Sequence, residues 1–151
     1  MPITTQPVKH LGDFVLTKNG SIDFGEIPID VAKIIGRQPG KIRLRTGIQT
    51  NNAQNSYGEK HIERPGRLAD LKAAGFENAR DFVEFVCDNY DAIYPNGIGL
   101  IILKHGYRCN TAYIQLVPSD DGDFYDVKTV VSSSRNYVKN KTPLWTKQSS
   151  V

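Results

Sequence analysis

Cysteine and histidine are scarce in this chain: two cysteines, Cys87 and Cys109, and three histidines in 151 residues. That is too few for a disulfide framework or a zinc ligand set, and zinc, calcium and phosphate-loop motifs are also missing. No cofactor and no metal are therefore expected. No apolar run approaches the roughly 20 residues that span a bilayer, and the chain does not open on a basic-then-apolar secretory signal. The expectation is action in the cytoplasm, without stable membrane insertion. Acids are missing locally. Residues 127–151 contain none, against Lys128, Arg135, Lys139, Lys141 and Lys147, and residues 31–56 contain none, against Lys33, Arg37, Lys41, Arg43 and Arg45. Such asymmetry within a net charge of +3 predicts a basic surface suited to phosphate.

What is present is ordinary for a globular chain, with 39% hydrophobic and 23% charged residues. The length suits one domain able to bury roughly 68–70% of its unfolded surface. We expect a flexible segment over residues 1–12, a single domain over 13–147, and frayed ends at 1–7 and 148–151.

The stretch "DFVLTKNGSIDF" alternates about Asn19-Gly20 and predicts a β-hairpin. "PIDVAKIIGRQPG" predicts a short helix that starts at Pro28, turns Ile29, Ala32 and Ile35 inward, and stops at Gly36. "KIRLRT" reads as a strand with Ile42 and Leu44 inward, and residues 46–58 as a polar, mobile loop. A helix is expected over 65–74, ended by Gly75. Another begins at an Asn78 cap and carries Phe82, Val83, Phe85, Val86, Tyr90 and Ile93, with Cys87 beside that stripe as a core residue. "IGLIIL", "TAYIQLVP" and "DFYDVKTVV" then read as strands joined by short turns. The fold class is α+β: an N-terminal hairpin and helices packed on a C-terminal antiparallel sheet of about four strands.

Three places carry residues suited to chemistry. "SYGEKHIERPGR" sets Lys60 and His61 at the seam between a polar loop and a helix. Histidine exchanges protons near neutrality, as an acid or base in phosphodiester cleavage must. His105, in the turn "LKHGYR", is a second histidine for the opposite proton transfer, or an exposed turn residue. In "YDVKTVVSSSRNYVKN", strict alternation puts Tyr125, Val127, Thr129 and Val131 on one face and Asp126, Lys128 and Val130 on the other. Ser133 and Arg135 offer phosphate donors, and Tyr137 a ring for stacking on a base or packing on the sheet.

Together "YGEKHIE", "GFENARDFVEFVCDNYDAIY" and "YDVKTVVSSSRNYVKNKTPLW" resemble the phage-associated branch of the barnase/EndoU/colicin/RelE-like nucleases, over residues 57–145. The resemblance implies two helices followed by a four-stranded antiparallel sheet, and a metal-independent endoribonuclease used as a toxin. It implies a catalytic role for His61 and a phosphate-contacting hydroxyl at Thr129, with Arg135 and Tyr137 in the polar segment that follows. The chain departs from the pattern where related sequences carry a second histidine; here it reads "ERPGR", which leaves that task to His105, Lys60 or Arg64.

The expected function is RNA cleavage by 2′-hydroxyl attack, giving a 2′,3′-cyclic phosphate. His61 is the base, His105 the candidate acid, and Thr129 a catalytic hydroxyl, while Lys60, Lys128, Ser133, Arg135 and Tyr137 hold the substrate. The family resemblance extends this to transfer RNA, to an acidic immunity protein as partner, and to release from a larger exported precursor. The alternative is a non-catalytic nucleic-acid-binding or interaction module on the same fold. A transferase acting on a nicotinamide dinucleotide has only Glu59 and Glu63 as weak support.

Overall fold

The structure is a computed structural model and describes residues 10–51 and 56–147; of Arg135 only the backbone is described. In chain order the elements are β1 (His10–Leu11), β2 (Phe14–Val15), β3 (Gly25–Ile27), α1 (Ile29–Ile35), β4 (Gly40–Arg43), α2 (Gly58–Ile62), α3 (Pro65–Ala73), α4 (Ala79–Cys87), β5 (Ala92–Asn96), β6 (Gly99–His105), β7 (Cys109–Val117), β8 (Phe124–Ser133) and β9 (Trp145–Thr146), with a 3-10 turn over Arg135–Val138 before β9. The class is α+β, as expected. The main sheet has seven strands rather than about four, in the order β3-β4-β8-β7-β6-β5-β9, and β1 and β2 form a separate pair.

All neighbours in the main sheet are antiparallel except β4 and β8, which run parallel, with Ile42 opposite Tyr125 and Arg43 opposite Asp126. Tyr90 and Ile93 were expected on the helix that begins at the Asn78 cap; α4 instead ends at Cys87, and Ile93 belongs to β5, a strand that also contains Pro95. The strand tolerates it because β9 reaches only Ala92 and Ile93, so at Pro95 β5 is an edge. His10 and Leu11 are strand residues inside the segment expected to be flexible. The rest of that segment, and the end at 148–151, lie outside the described residues.

The expected hairpin is a turn without a ladder. Gly20 adopts a φ of 84°, and its N–H bonds the Thr17 carbonyl at 2.9 Å. Past Thr17 and Ser21, joined by Thr17 N–H to Ser21 O at 2.8 Å and Ser21 N–H to Thr17 Oγ1 at 3.1 Å, the flanks part company. Val15 N–H bonds Leu44 O at 2.8 Å, while Gly25–Ile27 pairs with β4. Both flanks align along the same partner, residues 40–46, which offers more bonds than they offer each other.

In α1, Val31, Ala32 and Ile35 are buried and Gly36 caps the end at φ 71°. Ile29 was expected inward and is 62% exposed. In α4 the Asn78 side chain accepts the Asp81 N–H at 2.8 Å, as the cap pattern predicts. Phe82, Val83 and Val86 are fully buried against Leu100, Ile102, Ala112, Ile114 and Val127 of the sheet. Cys87 is core, and burial pushes its thiol well above the ordinary value. The opposite sheet face carries a smaller cluster, Ala92, Tyr94, Leu103 and Cys109, covered by Tyr137 and Val138 of the 3-10 turn.

Strict alternation in β8 fails at one residue. Tyr113 pairs with Thr129 and the next residue, Ile114, with Val127, so Lys128 is an extra residue in the ladder. This β-bulge keeps Tyr125 and Val127 in the helix-covered core and hands the next core position to Val130, 1% exposed. Thr129 leaves the face that alternation assigned to it and joins the open face, beside Lys128.

Candidate functional site

The position of His61 follows from two glycines. Gly47 and Gly58 both have left-handed φ, 71° and 79°. A Cβ on Gly47 would lie 2.0 Å from the Tyr57 carbonyl oxygen, and one on Gly58 2.6 Å from that of Arg45. Two backbones thus cross where no side chain fits. The crossing lets Glu59 N–H bond Arg45 O and Lys60 N–H bond Thr46 O, both at 2.9 Å, so the strand end satisfies amides that the first turn of α2 leaves free. β4 pairs with β8 only at Tyr125 and Asp126, and α2 packs against β8. Ile62 enters the main core, and its neighbour His61 lines a cavity on the open face.

That cavity, of about 470 Å³, is lined by Ser56, Tyr57, His61, Tyr113, Gln115, Lys128 and Thr129. His61 is 9% exposed, and its Nδ1 lies 2.7 Å from Gln49 Oε1. Because a carboxamide oxygen only accepts, Nδ1 carries the proton and Nε2 keeps a lone pair. Arg64 Nη1 sits 3.3 Å from Nε2 and donates to the His61 carbonyl. Burial first, then the charges of Arg64 and Arg67, lower the His61 pKa from its usual 6.5. The imidazole is therefore a neutral base at pH 7.

Beside it lies a charged cluster. Asp126 is fully buried, and its Oδ2 accepts from Arg45 Nη2 at 2.8 Å and from Lys128 Nζ at 2.9 Å. Its Oδ1 is buried and has no hydrogen-bond partner. Both cations also lie over the Tyr57 ring, at 4.5 and 4.8 Å from its centroid. The hydrogen bond from Arg45 to Asp126 raises the guanidinium pKa further. Two cations on one carboxylate leave the cluster with one positive charge, at the wall of the cavity that holds His61.

Of the residues singled out from sequence, His61, Lys128 and Thr129 come together. Lys60 is exposed on α2 and lines no part of the cavity. His105 and Ser133 flank Cys109 at the far end of the sheet, opposite it on either side. Ser133 stands four residues past Thr129, about 13 Å along the strand. His105 is exposed there, its N–H bonding Asp91 Oδ2 at 2.7 Å. Tyr137 packs on the small apolar cluster and borders a second cavity, which it shares with Thr129. The Arg135 side chain lies outside what is described.

Sequence reasoning passed over Gln49, Arg45, Asp126, Tyr113 and Gln115. Only Arg45 carried a signal, its place in a basic strand. That basic stretch is largely neutralised by acids from elsewhere: Lys41 meets Glu26 at 3.4 Å, Arg43 meets Asp23 at 2.8 Å, and Arg45 meets Asp126. Among the described residues, no three histidine, cysteine or acidic side chains gather as a metal site, and no helix is long and apolar enough to cross a membrane. Compared with protein-family models, with curated proteins and with solved structures, the chain finds no match in any of the three.

Proposed function

We propose that this chain is a metal-independent endoribonuclease of the toxin type. The observation that carries the reading is a neutral His61, whose Nε2 lone pair meets only the long 3.3 Å contact from Arg64 Nη1, in one cavity with Lys128 and Thr129 and beside the Arg45 cation. His61 Nε2 takes the proton of a ribose 2′-hydroxyl, and the 2′-oxygen attacks the adjacent phosphorus. The bond from phosphorus to the 5′-oxygen breaks, leaving a 2′,3′-cyclic phosphate, and the leaving oxygen takes a proton from water. Lys128, held by Asp126, stabilises the added negative charge on the phosphoryl oxygens, with Thr129 donating to a non-bridging oxygen. Asp126 holds Lys128 and Arg45 in place and touches no substrate.

Transfer RNA as substrate, an acidic immunity protein over the basic wall of the cavity, and release from a larger exported precursor belong to the same reading. They rest on the family resemblance of the sequence. The test is incubation of the protein with total bacterial RNA in excess EDTA, beside a His61→Ala variant whose fold is checked by circular dichroism. Discrete fragments ending in cyclic phosphate, from the parent alone, are the expected result; intact RNA in both lanes sinks the reading.

One observation favours a second reading, a nucleic-acid-binding module without catalysis: His105, the sequence candidate for the acid, stands at the other end of the sheet. Such a module binds RNA equally well with or without His61 and releases no fragments.

A further inference from the structure

The cavity of His61 shares two wall residues, Tyr113 and Thr129, with a second cavity of about 220 Å³ on the same open face. Asn96, Ile101, Thr111 and Val131 also border that second cavity. Tyr113 is the aromatic residue common to both walls. It lies where it does because β6 has no side chain beneath it: a Cβ on Gly99 would come within 2.7 Å of Tyr113 Cε2 and 2.8 Å of Cζ. The glycine is itself pinned. Arg37 donates from Nη1 to the carbonyls of Ile98 at 3.1 Å and Gly99 at 3.3 Å, and from Nη2 to that of Gly97 at 3.3 Å. One side of the distal ring thus rests on rigid backbone, while the residue stays partly exposed between two cavities.

A partly exposed aromatic ring closely backed by backbone, next to a cationic site, is the kind of platform on which single-stranded nucleotides stack. The rim adds groups that match a base edge, since the Asn96 carboxamide offers both a donor and an acceptor. The apolar side chains of Ile101 and Val131 line the same hollow. A paired base buried in a duplex cannot enter a concave seat of this kind; an unstacked base splayed from a loop can.

We propose that the second cavity seats one nucleobase next to the scissile phosphate, stacked on Tyr113 over Gly99, so that the substrate is unpaired RNA. The proposal rests on the ribonuclease reading of the His61 cavity. Thr129, common to both cavities, then stands at the junction of base and phosphate. Arg37, remote from the cleavage chemistry, acts as a positioning residue through Gly99.

The experiment measures kcat/KM on a fluorophore-quencher RNA hexanucleotide, single-stranded and then annealed to its complement. It uses the parent, Tyr113→Leu, Tyr113→Phe and Asn96→Ala, each checked by thermal melting. Tyr113→Leu is expected to lose about 5- to 150-fold on the single strand, the equivalent of about 1–3 kcal/mol of stacking. Tyr113→Phe keeps the ring and is expected to stay within about threefold. Asn96→Ala changes an exposed residue and is expected to shift preference among hexanucleotides of different base composition. The annealed form is expected to resist cleavage by every protein. Equal kcat/KM for the parent and a folded Tyr113→Leu, or equal cleavage of the duplex, overturns the base seat and leaves the ribonuclease reading standing. No cleavage by the parent overturns both.

Discussion

The two faces of the central sheet are built from the same strands and do opposite things. On the helix-covered face, Ile93, Leu100, Ile102, Ala112, Ile114 and Val127 are sealed beneath α4 in one continuous core. On the open face the buried apolar cluster is small, Ala92, Tyr94, Leu103 and Cys109 under the 3-10 turn, and beside it lie two cavities with mixed polar and apolar walls. A regular strand would have divided its residues evenly between the faces. The extra residue at Lys128 keeps the Thr129 hydroxyl out of the core and gives the open face two consecutive polar side chains, Lys128 and Thr129. The main core and the proposed chemistry thereby lie on opposite sides of one ladder.

The largest effect that tests this division is on catalysis. His61→Ala is expected to lower kcat/KM on RNA by about 10²–10⁴-fold, the usual worth of a general base. Thermal unfolding should move little, because His61 faces the cavity rather than the core. A loss under tenfold in a folded variant would remove His61 from the chemistry.

Asp126→Ala should break the division in the other direction, from the open face into stability. The carboxylate is fully buried, and its loss leaves Arg45 and Lys128 facing each other. Breaking a buried pair costs about 3–5 kcal/mol. Both cations keep about a fifth of their surface exposed, so urea titration should find the low end, about 3 kcal/mol. A cost below about 1 kcal/mol would mean the cluster is solvated and not structural. Gly58→Ala should cost about 2 kcal/mol from the left-handed backbone alone. It should also lower activity more than its stability loss explains, since the crossing with Gly47 sets α2.

Deleting Lys128 sharpens the comparison most directly. Removal of the extra residue restores plain alternation, with Val127 and Val130 still inward and Thr129 still outward. The expected result is a folded protein within about 1 kcal/mol of the parent, a small change for strand register, that binds RNA more weakly with a shallower salt dependence. A deletion that unfolds the chain would show that the bulge supports the core.

The smallest effect is in the pH response. His61 titrates below 6.5 in the fold and near 6.5 when unfolded, so between those two values the unfolded chain binds the extra proton. Stability should therefore rise with pH through that window and be level above it, and His61→Gln should flatten the slope. Cleavage should lose rate on the acid side of the same window. With water as the proton donor it should lack a falling alkaline limb near neutrality.

Local chemistry made much of this legible. The Asn78 cap, the stops at Gly36 and Gly75, the inward Ile42 and Leu44 and the buried Cys87 all follow from neighbouring residues alone. His61 was read at a loop-to-helix seam and lies within α2, a short helix absent from that reading. What failed depends on residues far apart in sequence. A bulge leaves no mark in composition, so Thr129 was assigned to the wrong face. The apolar stripe of α4 was carried on through Ile93 of β5, because apolar residues alone do not show where a helix gives way to a strand. The basic stretch over 31–56 was read as free charge, because Glu26, Asp23 and Asp126, its partners, lie outside it.

The parallel pairing of β4 with β8 has a consequence in time. It joins Ile42 to Tyr125, and the Arg45–Asp126 bond beside it closes a separation of 81 residues. Contacts so distant in sequence form slowly, because the intervening chain must be ordered first. The β5–β8 meander, whose strands are joined by short turns, needs no such closure. Refolding from denaturant should therefore restore most β signal in an early phase and cleavage only in the last one. A chain still emerging from the ribosome, with β8 unmade, has no assembled site at all, so the activity proposed here waits until β8 itself has been made.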